Sequence, residues 1–313
     1  MAETDSPQIK GEGRMKRRPV AVFVVGSILL VVVLIALSTG ASLFLGEAPV
    51  VASDKVALIK IEGIILDSED VVKQLKKYSE NDSVKAIILR IDSPGGAVVP
   101  SQEIYEEVFK VRQGNKQKVI TSMGSVAASG GYYIASASDK IMANPGTLTG
   151  SIGVIMEFAT AEDLMNKIGV KNEVIKSGAR KDVGNFMRAM TPDERTYLQS
   201  VLDDEHSQFV EAVAKGRGMK AQDVWSIADG SVFTGRQAKA MGLVDELGDL
   251  EDAIKLAGKM GRIEGEPKVV TEEKKYSFWD ILKGEDMGGL FRGVLQSSSL
   301  PRLMYLFHAS SVR

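Results

Sequence analysis

The sequence predicts an α/β fold with a largely parallel sheet, and three observations carry that expectation. Short, apolar, β-branched segments alternate with helix-like segments from Lys55 onward, which is the signature of βαβ units. Each strand-like segment closes on Gly- or Pro-containing turn chemistry. The glycine-rich stretches follow the strands, at the edge where folds of this class collect their functional loops.

Ahead of that body lies a different kind of segment. Residues 1–18 are polar and end in a basic cluster, Lys10, Arg14, Lys16, Arg17 and Arg18. Pro19–Gly46 then runs 28 residues without a charge and is rich in Val, Leu and Ile. About 20 apolar residues span a bilayer core, whereas a secretory apolar region usually has about 7–15. The expectation is one N-terminal transmembrane helix over residues 19–46, with residues 1–18 in the cytoplasm by the positive-inside rule and the body on the outer side. A cleaved signal peptide is the alternative, since the small residues at Ser38–Ala41 permit cleavage. Either way the body is exported. Residues 47–54 read as a linker.

The first strand is expected over Lys55–Gly63 and the second over Val84–Asp92, the latter ending in Ser93-Pro-Gly-Gly96. A third, Lys118–Ser122, leads into the small-residue stretch Met123–Ala137, MGSVAASGGYYIASA. A fourth, Lys140–Asn144, ends in Pro145-Gly-Thr-Leu-Thr-Gly-Ser-Ile-Gly153. Helices are expected over 67–79, 100–112 and 129–137. Further on, Ala159–Ile168 reads as a helix, Val170–Ile175 as a strand, and Lys176–Asp182 as a polar loop. Thr191-Pro-Asp-Glu194 has the Thr, Pro and Glu of a capping box. It opens a long helix to about Lys215, with Leu198, Val201, Leu202, Phe209, Val210 and Val213 as its apolar positions. Shorter helices follow at 221–228, 234–241 and 249–260. The last fifty or so residues are less regular, with apolar and aromatic residues at 278–282, 290–291 and 300–307. They suit either an interface-seeking tail or packing on the body or a neighbouring subunit.

Composition removes several chemistries. The net charge of −2 offers no electrostatic case for nucleic acid. With no Cys, disulfides, thiolate nucleophiles and cysteine zinc sites are excluded. Only His206 and His308 are present. His206 falls within the long helix, where a surface position is expected, and His308 lies in the tail. No cofactor and no metal are expected.

Ser129 is the centre of the chemical reading. A strand, a tight turn of small residues and a helix start can hold one hydroxyl at a helix N-terminus, where free backbone N–H groups stabilise an oxyanion. Close helix packing is the competing explanation for the same small residues. A serine needs a base. The two His are poorly placed for a Ser-His-Asp triad, so a Lys is favoured, as in Ser–Lys variants of that logic. Such a Lys must be neutral, which burial promotes. Lys176 and Lys181 stand out because they share a Gly-containing loop after a strand-like segment.

Four motifs then occur together in order. Ala127-Ala-Ser-Gly-Gly-Tyr-Tyr133 resembles the nucleophile motif of the signal peptide peptidase A family in its short, single-domain form. Asp92-Ser-Pro-Gly-Gly96, Thr149-Gly-Ser-Ile-Gly153 and Lys176-Ser-Gly-Ala-Arg-Lys-Asp182 match three further motifs of that family. The resemblance covers about residues 56–261 and the N-terminal anchor. It implies a crotonase/Clp-like spiral of strand-strand-helix units and a membrane-bound Ser–Lys serine peptidase that degrades cleaved signal peptides. Carried over, it makes Ser129 the nucleophile, Lys181 the general base and Ser151 the hydroxyl that orients the lysine. The backbone N–H groups of Gly96 and Gly130 become the oxyanion donors. It implies residues 55–262 as the peptidase domain and 263–313 as a tail that can approach the active-site groove. Peptide substrates, a lipid bilayer and a ring-like homo-oligomer that pairs Ser and Lys from adjacent subunits are the implied partners, and a bacterial plasma membrane the location. The alternatives are a related membrane serine peptidase with another membrane protein as substrate, a non-catalytic scaffold of the same fold, and an acyl-CoA hydratase or isomerase. The last would require neither Ser129 nor Lys181.

Overall fold

The structure is a computed structural model that describes residues 26–35, 54–272 and 304–306. The chain divides into two compact units, Met1–Ala52 and Ser53–Arg313. In the first, residues 26–35 form helix α1, whose large apolar side chains are exposed. Most of the expected span over 19–46 lies outside the described residues. Among the described residues, no helix is long and apolar enough to cross a membrane.

The second unit is built on one mixed sheet. Its central strands are β1 (Lys55–Glu62), β2 (Val84–Ser93) and β4 (Lys118–Ala128), all parallel. Short β3 (Gly95–Ala97) follows β2 directly. Beyond β4 come β5 (Lys140–Ala143) and β6 (Leu148–Gly150), which pair with the beginning and the end of β4 respectively. β7 (Val232–Thr234) closes that edge antiparallel to β6, and β8 (Glu246–Leu247) pairs with β5. β9 (Lys268–Thr271) pairs in parallel with β1 at the other edge.

The sheet is buried on both faces, which is why its strands read as near-continuous apolar runs. Successive side chains point to opposite faces. Ala57, Ile59, Ile61, Ile87, Leu89 and Ile91 join the larger core, while Val56, Leu58, Ala86 and Ile88 face a second cluster with Ala253 and Ala257. The larger core is covered by α2 (Glu69–Glu80), α3 (Val98–Gly114) and α4 (Gly130–Ser136). Helix α5 (Glu162–Ile168) buries none of its residues. Next come α6 (Pro192–Arg217), α7 (Ala221–Trp225), α8 (Gly235–Ala240) and α9 (Leu250–Met260), the last carrying the second cluster. The capping box expected at Thr191 forms, with Glu194 N–H donating to Thr191 Oγ1 at 3.2 Å and Thr191 N–H to Glu194 Oε2 at 3.0 Å. Thr234 and Asp249 cap α8 and α9 in the same way.

Two expectations are corrected. Val170–Ile175 is not a strand. Val170, Val174 and Ile175 are exposed, so this β-branched run has no sheet edge to join. The third strand does not stop at Ser122 but continues to Ala128. Ile91 pairs with Met123 while Ser93 pairs with Ala127, so β4 bulges between those points. Asp92 supports the bulge, with Oδ1 accepting from Val126 N–H at 3.0 Å. A β-carbon on Gly124 would sit 2.7 Å from the Asp92 carboxyl carbon, so only glycine fits against it. The small-residue stretch is therefore the end of a strand delivered straight into a helix.

Candidate active site

Ser129 occupies the single residue between β4 and α4. Its backbone has φ 53° and ψ −116°, a conformation strongly disfavoured for any residue with a β-carbon. Three hydrogen bonds hold it there. Ser129 N–H donates to Gly150 O at 2.8 Å, Ser129 O accepts from Tyr133 N–H at 2.8 Å, and Thr149 Oγ1 anchors Ala127 O at 2.7 Å. The side chain is fully buried, and its Oγ has no hydrogen-bond partner among the described residues. A strained, buried hydroxyl without a partner at the head of a helix is costly for stability and suited to attack.

The two glycines expected beside it converge on the same point. A β-carbon on Gly130 would lie 2.6 Å from Ser101 Oγ and 3.2 Å from the Gly96 nitrogen, so the two backbone segments are in direct contact. One on Gly96 would lie 2.0 Å from Ile65 O. Ile65 locks β3, donating to Gly95 O at 2.9 Å and accepting from Ala97 N–H at 2.7 Å. Ser93 Oγ accepts from Gly95 N–H at 3.1 Å. The adjacent Gly95, at φ +101°, was not singled out in the sequence. Only its position in the Ser-Pro-Gly-Gly run marks it.

A strand of the same chain runs along this point. β10 (Met304–Leu306) pairs antiparallel with β3, setting Tyr305 against Gly96, and Met304 also bridges Ile155 on its other side. A β-carbon on Gly95 would be 2.0 Å from Tyr305 O and 2.7 Å from Gly130 N, so the Tyr305 carbonyl and the Gly130 amide share the space beside Gly95. The Tyr305 side chain is fully buried against Tyr133 and Phe209. The slot between β3 and Ile155 thus holds an extended segment as an added strand, with the Tyr305 carbonyl beside Gly95.

The lysine loop is organised separately. Lys176 Nζ is tied to Asp182 Oδ1 at 2.5 Å and donates to Ala179 O at 2.9 Å. Arg188 bridges Asp182 and Glu194, at 3.0 and 2.5 Å. This separates the two candidate lysines: Lys176 is a structural ion-pair partner. Lys181 is exposed, and among the described residues its ammonium has no partner. Nor does it reach Ser129 Oγ, which is unpartnered. Ser151 is buried at φ 51°, and its N–H donates to Ser231 O at 2.7 Å. His206 differs from the surface position expected of it. It is half-buried, edge-on to Trp225 at 4.7 Å, with an unpartnered Nε2.

The Arg188 guanidinium, with the Thr191 amide, pulls the Glu194 carboxyl down to about 2 from an ordinary value of 4.5. A depressed carboxylate contributes stability that is fully present above about 4.5 and lost as pH falls toward about 2. Protection of the amides in residues 176–190, measured against their intrinsic exchange at each pH, should fall across that window, and Arg188→Ala should lower it at neutral pH. Protection in the segment that responds to neither change would show that this cluster does not hold the loop.

Residues 111–263 match the profile described as peptidase family S49, and residues 58–148 match that described as Clp protease. A provisionally named protease of Synechocystis sp. is 45% identical over 212 residues, covering 67% of this chain and 76% of the relative. A provisionally named signal peptide peptidase SppA of Enterococcus faecium is 36% identical over 216 residues, covering 65% of this chain and 62% of the relative. Protease 4 of Salmonella typhi is 34% identical over 226 residues, 69% of this chain but only 36% of that protein.

Proposed function

We propose, from the premise that this chain belongs to peptidase family S49 and is a serine peptidase, that Ser129 is its nucleophile and that Lys181 of a neighbouring subunit is its general base. The observation that carries the reading is the buried, unpartnered Ser129 Oγ on its strained turn, beside two converging glycine amides. Oγ attacks the peptide carbonyl while a neutral lysine Nζ takes its proton. The developing oxyanion is held by the N–H groups of Gly130 and Gly96. The protonated lysine then donates to the leaving amine, and the same base activates the water that releases the acyl-enzyme. Ser151 orients the lysine.

The intersubunit arrangement is supported by what one chain lacks. Among the described residues Ser129 has no base within hydrogen-bond reach, and Lys181 projects from an exposed loop. Before that loop in the sequence Leu164, Ile168, Val170, Val174 and Ile175 are exposed, apolar side chains that a partner surface would cover. A second copy that covers them would bring a lysine to each serine, and repetition would close a ring. The uncharged run over residues 19–46 supports a single-pass anchor in the bacterial plasma membrane, with the peptidase unit on the outer side. Signal peptides left in that membrane, and other unfolded or membrane-derived peptides, are the substrates this placement favours.

The test is a mixing experiment on the full chain with a fluorophosphonate and an unfolded casein-type substrate. Ser129→Ala and Lys181→Ala chains should each be inactive, and co-assembled mixtures should regain activity, because one supplies the lysine and the other the serine. Restoration absent from a mixed oligomer would defeat the shared site. Wild-type protein that neither labels at Ser129 nor cleaves would defeat the dyad.

A further inference from the structure

We propose that Arg188 is a positioning residue for the general base. It grips Asp182, the residue after Lys181, and fastens it to the first turn of α6, so that Lys181 is presented unpaired to the serine of the neighbouring subunit. The inference rests on the shared-site reading above and deepens it.

The grip has two ends. At one, Arg188 Nε donates to Asp182 Oδ2 at 3.1 Å and Nη2 donates to the Asp182 backbone O at 3.3 Å. Both the side chain and the main chain next to Lys181 are therefore held. At the other end, Nη1 and Nη2 donate to Glu194 Oε2 and Oε1 at 2.8 and 2.5 Å, the two-pronged geometry that only a guanidinium supplies. The Glu194 side chain is only 6% exposed, and its Oε2 also accepts from Thr191 N–H at 3.0 Å. The loop is thus fastened to the capping box of α6. On the other side of Lys181, Arg180 lies over the Tyr197 ring at 4.6 Å and faces Asp193 at 3.3 Å. That pair is open to solvent and adds little.

The platform itself is rigid. α6 is one helix of 26 residues, and Val210 and Val213 are fully buried in the larger core. Near its far end, a β-carbon on Gly216 would lie 2.1 Å from the Ser136 carbonyl oxygen of α4. Arg112 Nη1 donates to Gly216 O at 2.8 Å. One end of α6 is therefore locked against the helix that follows Ser129, and the other carries the lysine loop.

The same contacts decide what Asp182 does. Lys176 Nζ takes its Oδ1 at 2.5 Å and Arg188 takes its Oδ2, so both carboxylate oxygens are occupied. The bond from Lys176, ahead of that from Arg188, holds the Asp182 carboxyl below its ordinary value, and it stays an anion. A free carboxylate beside a lysine base would pair with it and hold it as an ammonium ion, which accepts no proton. Arg188 and Lys176 together keep Asp182 from that role.

The test places one substitution in either member of a mixed oligomer of full-length chains, with a casein-type substrate. The Ser129→Ala chain supplies the lysine and the Lys181→Ala chain supplies the serine. Arg188→Ala added to the lysine-supplying chain should lower the restored kcat by about 10²-fold, the cost of a displaced catalytic group, with KM within about 3-fold. The same change added to the serine-supplying chain should cost no more than about 2-fold, because its own lysine is already gone. Equal losses in the two arms, or no loss in the first, overturn the proposal. Should Arg188→Ala chains fail to fold, Arg188→Lys keeps the charge and loses the two-pronged grip. It should lose about 10-fold in kcat in the lysine-supplying chain only, and full activity there overturns the proposal. A mixture without any change at Arg188 that restores nothing defeats the shared site instead. Arg188→Ala in the otherwise wild-type chain then decides the positioning role: a fall in kcat at unchanged KM supports it, and an unchanged kcat overturns it.

Discussion

Ser129→Ala and Ser129→Gly are both expected to lose about 10⁴-fold or more in kcat, yet to differ in stability, with the Gly chain the more stable by about 1–2 kcal/mol. Neither variant has a hydroxyl, so the comparison isolates the backbone. Alanine retains a β-carbon at φ 53° and ψ −116°, where glycine has none to clash. The Gly chain gives back part of its gain through the greater entropy of its unfolded state, which is included in that range. Denaturant midpoints at unchanged m values would measure the difference, and fluorophosphonate labelling would report the chemistry. An Ala chain as stable as the Gly chain would mean that the turn stores no strain. Ser129 would then be held at no conformational cost, contrary to the geometry.

Gly96→Ala should be a severely damaging small substitution. The added β-carbon would overlap Ile65, 2.0 Å from its oxygen and 2.6 Å from both its carbonyl carbon and its nitrogen. These are backbone atoms that bond β3 in place, and no rotamer change relieves the overlap. A loss of about 3 kcal/mol or more is expected, in the range of severe overpacking. Should the chain still fold, β3 must move, and displacement of one oxyanion donor alone costs about 10²–10³ in kcat. Gly146→Ala is the matched control. Nothing lies within 4 Å of its added carbon, and its effect should stay within about 0.5 kcal/mol. Thermal unfolding and turnover of the pair test this. Equal tolerance at positions 96 and 146 would show that β3 is not locked by Ile65.

The stability and activity arguments meet at the same few atoms. Gly95, Gly96 and Gly130 are needed because β3, α4 and β10 approach one another through their backbones. Side chains there would push these backbones apart. The aromatic cluster around Tyr133 is built in the opposite way, from large rings on α3, α4 and α6 that meet only when those helices pack.

Much of what depends on neighbouring residues was legible. The alternation of apolar strands and helices, the glycine-rich turns after them and the Thr191 capping box depend on neighbouring residues, and the structure contains each of them. The Ser-Gly-Gly turn was legible because a strand entering a helix within one residue requires small side chains. Other features depended on partners distant in sequence. Val170–Ile175 has the composition of a strand but no edge to pair with. β4 extends past Ser122 because Asp92, from another strand, bonds its bulge. Lys176 and Lys181 are equivalent in the sequence, and only the fold commits one of them to Asp182.

The sequence by itself determined the α/β class and the strand–turn–helix around Ser129, because each rests on turn geometry and periodicity within a short segment. The tertiary structure alone decided that Ser129 Oγ is buried without a partner among the described residues, and that residues 304–306 pair along β3. Each of these is a meeting of segments far apart in the chain, set by how the helices pack on the sheet, and no local pattern encodes such a meeting.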